Sequence, residues 1–449
     1  MTVTAKIRKR ELSAYFSYGL GQCLSFGLVG TFIIIFYTDV LGISALAAST
    51  IFVIARTWDA VNDPMIAGFM DTLHFKAGKF RGYLKIMPVF IVVITALCFF
   101  NPGFDETGKV IWAGATYIIW GMCYTLSDVP FWSMSAVMTQ DSQERAKLLS
   151  GANLGVFGGI GAASMLLTPV MDIIGDHFPE QEYFIAVSII MLVGYGLMHI
   201  GFKNTRERVQ PPKDKIKLKE VVETVKSNKN MFKILLIFFN NVFMNLVQGA
   251  IVFFFTYNIG KAGLMSIFGI ISIGSAIAFF FIPMLTRRFR KKDLLMTILL
   301  TDILIRLVFF STGYDNLILV FVFLTIGQIL YSSTAPIIST MLAETIESAE
   351  LKTGRRCEAI VFSGQTFVGK LSVAVAGGMT GVLLTVIGYV PNETQTQDTL
   401  TALFFVISLL PALGALIRIL ILLTYTYTEE EHREILTQLD AKRAALASF

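Results

Sequence analysis

The sequence predicts an all-α integral membrane protein with twelve transmembrane helices in two pseudo-symmetric six-helix halves. Three observations lead there. Of the 449 residues, 54% are hydrophobic and 15% charged, and mean hydropathy is +0.66. A soluble domain carries about 25% charged residues. The apolar residues gather in runs of about twenty, enough for a helix to cross a bilayer, and not in the ten-residue alternations of a membrane β-barrel. The basic residues, finally, fall almost entirely on alternate sides of those runs.

The runs lie near 13–38, 45–70, 83–101, 110–137, 148–172, 183–203, 232–257, 262–285, 294–312, 316–342, 358–389 and 400–425. With both termini inside, 31 of the 37 Lys and Arg residues fall in inner loops and termini. The outer loops hold only Lys109 and Lys261, while Arg56, Arg306, Lys370 and Arg418 lie within segments. This bias places both termini on the cytoplasmic face, in a bacterial cytoplasmic membrane. The basic N-terminus precedes a full-length apolar run without a small-residue cleavage pattern, so no signal peptide is expected.

The longest connection, Lys203 to Asn230, contains Pro211-Pro212 and the lysine-rich stretch 213–219. It divides the chain into an N-terminal half (1–202), a cytoplasmic central loop (203–231), a C-terminal half (232–425) and a cytoplasmic tail (426–449). Ile216 to Lys226 reads either as an amphipathic helix on the inner membrane surface or as a solvated linker. Gly151, Gly155, Gly158, Gly159 and Gly161 crowd segment five and predict close helix packing. The tail from Glu429 predicts a cytosolic helix with a solvated charged face. Cys23, Cys98, Cys123 and Cys357 lack metal or redox spacing and read as free thiols. The basic residues are dispersed among short loops, which gives no nucleic-acid signal.

Charge inside the membrane segments carries the chemical message. Segment two contains Ala55-Arg56-Thr57-Trp58-Asp59-Ala60-Val61-Asn62-Asp63-Pro64. On a helix Arg56 and Asn62 lie three residues from Asp59 and Asp63 lies four, so all four share a face. A charge at membrane depth costs at least ~2.5 kcal/mol and needs a partner or a wet cavity. Two carboxylates a turn apart repel unless a cation or proton lies between them, which reads as a coupling-ion site. An interhelical ion pair is the structural alternative.

Segment four places Thr125, Asp128 and Trp132 on one face, beside Tyr124. A carboxylate beside an indole suits a sugar: the carboxylate accepts from hydroxyls and the ring covers the apolar face of the pyranose. An interfacial Trp132 with a structural Asp128 is the alternative. Segment eleven carries Gly364-Gln365-Thr366-Phe367-Val368-Gly369-Lys370, with Thr366 and Lys370 on one face and Lys370 too deep to snorkel easily. Asp59, Asp63 and Asp128 against Arg56 and Lys370 would give a shared cavity one net negative charge, suited to one bound cation. Asp302 and Arg306 are spaced to neutralise each other on segment nine, and Arg418 near the inner end of segment twelve can snorkel.

Several of these stretches resemble the glycoside–pentoside–hexuronide:cation symporters, the melibiose-permease-like family of the major facilitator superfamily. They are Tyr37-Thr38-Asp39, Ala55 to Pro64, Gly78-Lys79-Phe80-Arg81, Asp128-Val129-Pro130-Phe131-Trp132, Arg356-Cys357-Glu358, Gln365-Thr366 with Lys370, and Gly388-Tyr389-Val390-Pro391-Asn392. The resemblance implies a major-facilitator fold and cation-coupled symport, with Na⁺ or H⁺ as coupling ion and no other cofactor. It implies cation binding by Asp59 and Asp63 with Asn62 and Thr125. Asp128 and Trp132 match sugar-binding positions, Lys370 matches a lysine linking the cation and sugar sites with Thr366 beside it, and Gln365, Tyr124 and Arg56 join these four as substrate-site candidates. Gly78, Lys79 and Arg81 resemble an inner gating loop, and Arg356 and Glu358 resemble inner gate charges.

Four positions depart from the pattern. Phe26 stands where the best-known member has a sugar-binding aspartate, Asn153 for a sugar-site arginine and Ala335 for a tryptophan. Gln22 stands where many relatives carry an acid. Gln22 and Asn153 complete the candidate substrate set. The expectation is thus a monomeric, cation-driven sugar carrier working by alternating access, with a lipid-like or other non-sugar cargo as the alternative. An enzyme is not expected: the sequence contains no nucleophile elbow, phosphate-cradling loop or His-x-x-His pattern.

Overall fold

The structure is a computed structural model describing residues 7–72, 75, 77–139, 142–175, 177–178, 181–208, 228–353 and 358–447. The stretch Ile216 to Lys226 lies outside the described residues, as does Cys357. Everything described is helix, turn or loop. The helices are α1 (Lys9–Ile35), α2 (Ala45–Thr72), α3 (Arg81–Cys98), α4 (Glu106–Met138), α5 (Ser142–Gly175) and α6 (Glu182–Asn204). They continue with α7 (Lys229–Phe239), α8 (Val242–Phe253), α9 (Met265–Ser275), α10 (Ala278–Arg288), α11 (Lys291–Thr312) and α12 (Leu317–Thr353). The last four are α13 (Glu358–Val386), α14 (Gln397–Ser408), α15 (Leu410–Leu423) and α16 (Glu429–Ala447).

Each of the twelve apolar runs is helical, and three are built from two helices each: α7 with α8, α9 with α10, and α14 with α15. Among the described residues ten spans are long and apolar enough to cross a membrane. The runs outside that set are segment two, which carries Arg56, Asp59 and Asp63, and segment eight, which breaks between Ser275 and Ala278. Backbone groups at membrane depth must be paired, so a break needs local substitutes. At the break in segment seven, the Asn240 side chain donates to the Leu236 carbonyl at 2.9 Å.

The chain forms two compact units. The first comprises Met1–Pro212, Gln248–Gly274 and Gly377–Leu403. Within it α1 packs along α5 and α6. The glycines of segment five explain the closeness. A Cβ on Gly155 would stand 2.4 Å from the Phe16 carbonyl oxygen, and one on Gly159 would stand 2.5 Å from that of Leu20. Gly158, on another face, would meet only a leucine methyl at 3.7 Å.

In the same unit, α1 ends in a π-helical turn, Phe36–Val40, whose Asp39 gathers a polar knot. Its carboxylate accepts from the hydroxyls of Tyr257 and Tyr389. The Asn392 side chain donates to the Asp39 carbonyl at 2.8 Å, and its backbone N–H to the Tyr257 hydroxyl at 3.1 Å. Asn392 takes a positive φ of 58°, which asparagine tolerates.

The second unit comprises Lys213–Val247, Ser275–Ala376 and Phe404–Phe449. Its core joins Met231, Ile234, Leu299, Ile338, Leu342 and Leu422. The tail forms the expected helix, α16, but it is docked as well as solvated. Ile435 and Leu439 are buried in that core, and Glu429 accepts from the Lys291 backbone N–H at 2.8 Å. The reason is amphipathicity: two apolar residues four apart interrupt the charged run.

Asp302 and Arg306 pair as expected, with Arg306 Nε 2.9 Å from both carboxylate oxygens. Arg418 does not snorkel. It is 4% exposed and donates to Asn241 Oδ1 at 2.6 Å. Its place on α15 faces the break in segment seven, where Asn241 supplies a polar acceptor.

Candidate functional site

The site grows from one face of α4. Thr125, Asp128 and Trp132 follow Gly121 along that face, and the helix is continuous through Pro130. Gly121 leaves room for a carboxylate: a Cβ there would stand 3.2 Å from Asp59 Oδ1. The first acid of the segment-two constellation therefore lies against α4 one turn from Thr125. Thr125 and Asn62 are both buried, and the Asn62 side-chain NH₂ has no hydrogen-bond partner among the described residues. Nothing is described of the Arg56 and Asp63 side chains.

Seven residues, or about 10 Å of helix rise, further along α4 comes Asp128. Its Oδ1 accepts from Gln22 Nε2 at 2.9 Å and from Trp132 Nε1 at 3.2 Å. The carboxylate thus fixes the indole one turn away, and α1 fixes the carboxylate. Behind it runs a buried relay: Ser127 donates to Gln22 Oε1 at 2.7 Å and shares a 2.8 Å hydrogen bond with the Tyr18 hydroxyl. This relay leaves Gln22 one orientation, with its NH₂ toward Asp128. A glutamate at position 22 would face Asp128 with like charge, so the amide is what permits this contact. Tyr18 and Ser127 carry no message in the sequence alone, because only the helix contact brings them to Gln22.

Tyr124 lies beside this cluster, its hydroxyl 3.5 Å from Cys23 Sγ. Phe26 packs against it at a tilt, ring centres 5.4 Å apart, and Trp120 lies 5.5 Å from Tyr124 and 6.4 Å from Phe26, so the three rings form one cluster. The departure at Phe26 therefore replaces a charge with an aromatic shelf. Asn153 does not join the cluster: it is exposed and donates to the Leu149 carbonyl of its own helix at 2.9 Å.

In the second unit Gln365 donates to Ser339 Oγ at 3.1 Å, and Lys370 is exposed on α13. Ala335 is half-buried on α12. The side chain of Thr366 is not described. Arg356 lies outside the described residues, and Glu358 is placed only as the first residue of α13.

The loop Gly78 to Arg81 is held by a residue with no sequence signal, Glu207. Its carboxylate accepts from the backbone N–H groups of Lys79 at 3.0 Å, Phe80 at 2.8 Å and Arg81 at 2.7 Å. These donors run into the N-terminus of α3, Arg81 being its first residue and Phe80 its cap position, and the helix has no side-chain cap of its own. A carboxylate there satisfies them and meets the positive end of the helix dipole. Gly78 is required twice: its φ is +119°, and a Cβ would stand 2.7 Å from the Glu207 carboxyl carbon. The Arg81 guanidinium lies 4.6 Å over the Phe202 ring.

Comparisons with known proteins identify the family and the fold. A family model described as MFS/sugar transport protein matches residues 15–429. A Bacillus subtilis (strain 168) protein described as an uncharacterized symporter is 30% identical, over 98% of both chains. The isoprimeverose transporter of Lactiplantibacillus pentosus is 29% identical over 96% of this chain and 92% of its own, and the glucuronide carrier protein homolog of Escherichia coli (strain K12) is 27% identical over 95% of each. Among solved structures, a D-xylose-proton symporter superposes with a TM-score of 0.62 over 91% of this chain and 96% of its own, at 14% identity, which shows the fold. The chain is a multi-pass membrane transporter with the major-facilitator fold, and it belongs to the MFS/sugar transport family.

Proposed function

We propose that the protein is a cation-coupled sugar symporter. The observation that carries this reading is the shared face of α4: Asp59 lies against Gly121 at one end and Asp128 is locked to Gln22 and Trp132 at the other. Asp59 and Asp63, with Asn62 and Thr125, load Na⁺ or H⁺. Asp128 and Trp132 hold the sugar's hydroxyls and its apolar face, with Gln22 as a positioning residue and Tyr124 with Phe26 as the flanking aromatic wall. Lys370, Gln365, Thr366 and Arg56 complete the set.

Carboxylates facing one helix repel, by about 1.7 kcal/mol for a separation of roughly 10 Å at an effective dielectric of 20. A cation on Asp59 removes that repulsion at the sugar-binding carboxylate. The size suits a coupling free energy, and linkage makes it reciprocal: sugar raises cation affinity equally. The N-terminal half (1–202) and C-terminal half (232–425) rock about a midplane site in the cytoplasmic membrane, both termini inside. The loop from Gly78 to Arg81, braced by Glu207, acts on the inner face with Arg356 and Glu358, and the protein works as a monomer.

A thermal-shift panel tests the reading. Na⁺, Li⁺ and pH are varied against neutral glycosides, pentosides and uronides, since native-state binding raises the melting midpoint. A sugar that stabilises only with one cation present supports coupled symport. If no sugar shifts the midpoint under any cation, the sugar reading falls and lipids and organic ions are tested next.

A further inference from the structure

Among its described residues the second unit buries more positive than negative charge. Around the break in segment seven, Asp302, Arg306 and Arg418 are 8%, 6% and 4% exposed. Asp302 is spent on Arg306, with both oxygens 2.9 Å from its Nε. Arg306 also reaches the Ile407 carbonyl at 3.5 Å. Arg418 has no carboxylate within hydrogen-bond reach among the described residues, and Asp302 and Arg306 act on it only at longer range, with opposite sign. One Nη donates to Asn241 Oδ1 at 2.6 Å, and its Nε has no hydrogen-bond partner among the described residues. The Tyr331 hydroxyl donates to the same Asn241 oxygen at 3.3 Å, and the Tyr331 ring lies 6.0 Å from the guanidinium. All of these partners are neutral. A buried guanidinium with an open donor and no directly bonded carboxylate is a costly arrangement unless an anion completes it.

A cavity lies at this place. Its walls include Asn240, Asp302, Tyr331, Pro411, Gly414 and Arg418. Two interrupted membrane helices contribute to its walls, segment seven through Asn240 at its break and segment twelve through Pro411, two residues past its break at Leu409. The space open to the centre of a water molecule is about 20 Å³. A single water needs roughly 10–15 Å³ on that measure, so the cavity takes one or two small occupants and no sugar ring.

We propose that Arg418, with Asn241 and Tyr331 at the break in segment seven, binds a compact monovalent anion. The occupant is a free halide-sized ion or the single carboxylate of an acidic cargo. The second source rests on the sugar-transport reading, and the first does not. In both, the anion accepts from the open Nε of Arg418 and cancels its charge.

The test uses the purified full-length protein at fixed sodium and ionic strength. Sodium chloride and bromide are compared with the sodium salt of the bulky morpholinoethanesulfonate anion. A saturable rise in the melting midpoint of about 2–4 °C is expected with the small ions. Asn241→Asp supplies a carboxylate beside the guanidinium in place of the ligand. It is expected to abolish the chloride response and to melt in the bulky anion no lower than the parent melts in chloride. Arg418→Gln is expected to lose the response as well, and Asn241→Asp decides the matter if that variant does not fold.

In the bulky-anion background, glucuronate and glucose are then compared. Stabilisation by glucuronate alone, lost in Asn241→Asp and without a chloride effect, assigns the site to the cargo's carboxylate. A midpoint indifferent to chloride, bromide and glucuronate overturns the proposal. So does an anion response that survives Asn241→Asp. The chloride comparison contains no sugar, so its outcome is independent of whether the cargo is one.

Discussion

The contact between Glu207 and the loop before α3 lends itself to a quantitative test. Three backbone N–H groups converge on one carboxylate at 3.0, 2.8 and 2.7 Å. Hydrogen bonds to a charged group contribute about 1.5–3 kcal/mol each, but three cannot be summed here. The site is half-buried, so water takes over part of the work when the carboxylate is removed. The cost of a strong helix cap, about 2 kcal/mol, is the better bound for Glu207→Ala. At about 1.4 kcal/mol per decade this is about a thirtyfold rise in hydrogen exchange at the amides of Lys79, Phe80 and Arg81. Exchange read by mass spectrometry resolves the segment. Asp105→Ala is the control: its side chain caps α4 through one bond, from Gly108 N–H at 3.1 Å, and its loss predicts about 1 kcal/mol, or about fivefold. Unchanged exchange at the three amides in Glu207→Ala would refute the brace. Because the same loop is the proposed inner gate, uptake should slow in this variant while equilibrium sugar binding holds.

Asp128→Asn removes the charge that Gln22 and Trp132 share, and sugar affinity should fall by about tenfold to a hundredfold in equilibrium binding, the equivalent of one charge-assisted hydrogen bond. Asp59→Cys should abolish accumulation against a gradient, and full accumulation by that variant would count against the cation site. The knot at Asp39 predicts a pH profile. Burial, and then the Asp39 carboxylate, hold the Tyr389 hydroxyl well above the ordinary phenol range, so it stays a donor. A pKa raised in the folded state contributes stability below the unfolded value, about 10, and loses it as pH rises further. Thermal stability should therefore be insensitive to this group from pH 6 to 9 and decline above about 10, and Tyr389→Phe should flatten that decline. In segment five, Gly159→Ala would press a methyl 2.5 Å from the Leu20 carbonyl, whereas Gly158→Ala meets only a leucine methyl at 3.7 Å. The first should cost about 1–3 kcal/mol and the second nearly nothing, read as melting midpoints.

The sequence by itself determined the membrane class, the helical segments and the family. Hydropathy and basic-residue bias are one-dimensional quantities, set by what the bilayer accepts at each depth. The face of α4 carrying Thr125, Asp128 and Trp132 was legible for the same reason, because helical periodicity fixes it locally. Tertiary structure decided what those faces meet. That Gln22 clamps Asp128 through Ser127 and Tyr18 depends on how α1 packs on α4. That Asp59 lies against Gly121 depends on the absence of one side chain on a neighbouring helix. Glu207, Asp39 with its tyrosines, and Asn241 beside Arg418 bring together residues 128, 350 and 177 positions apart. Arg418 shows the limit most sharply. From position alone a membrane arginine near a helix end reaches for the interface. Here a break in another helix supplies a half-buried acceptor, Asn241, and the side chain turns inward to it.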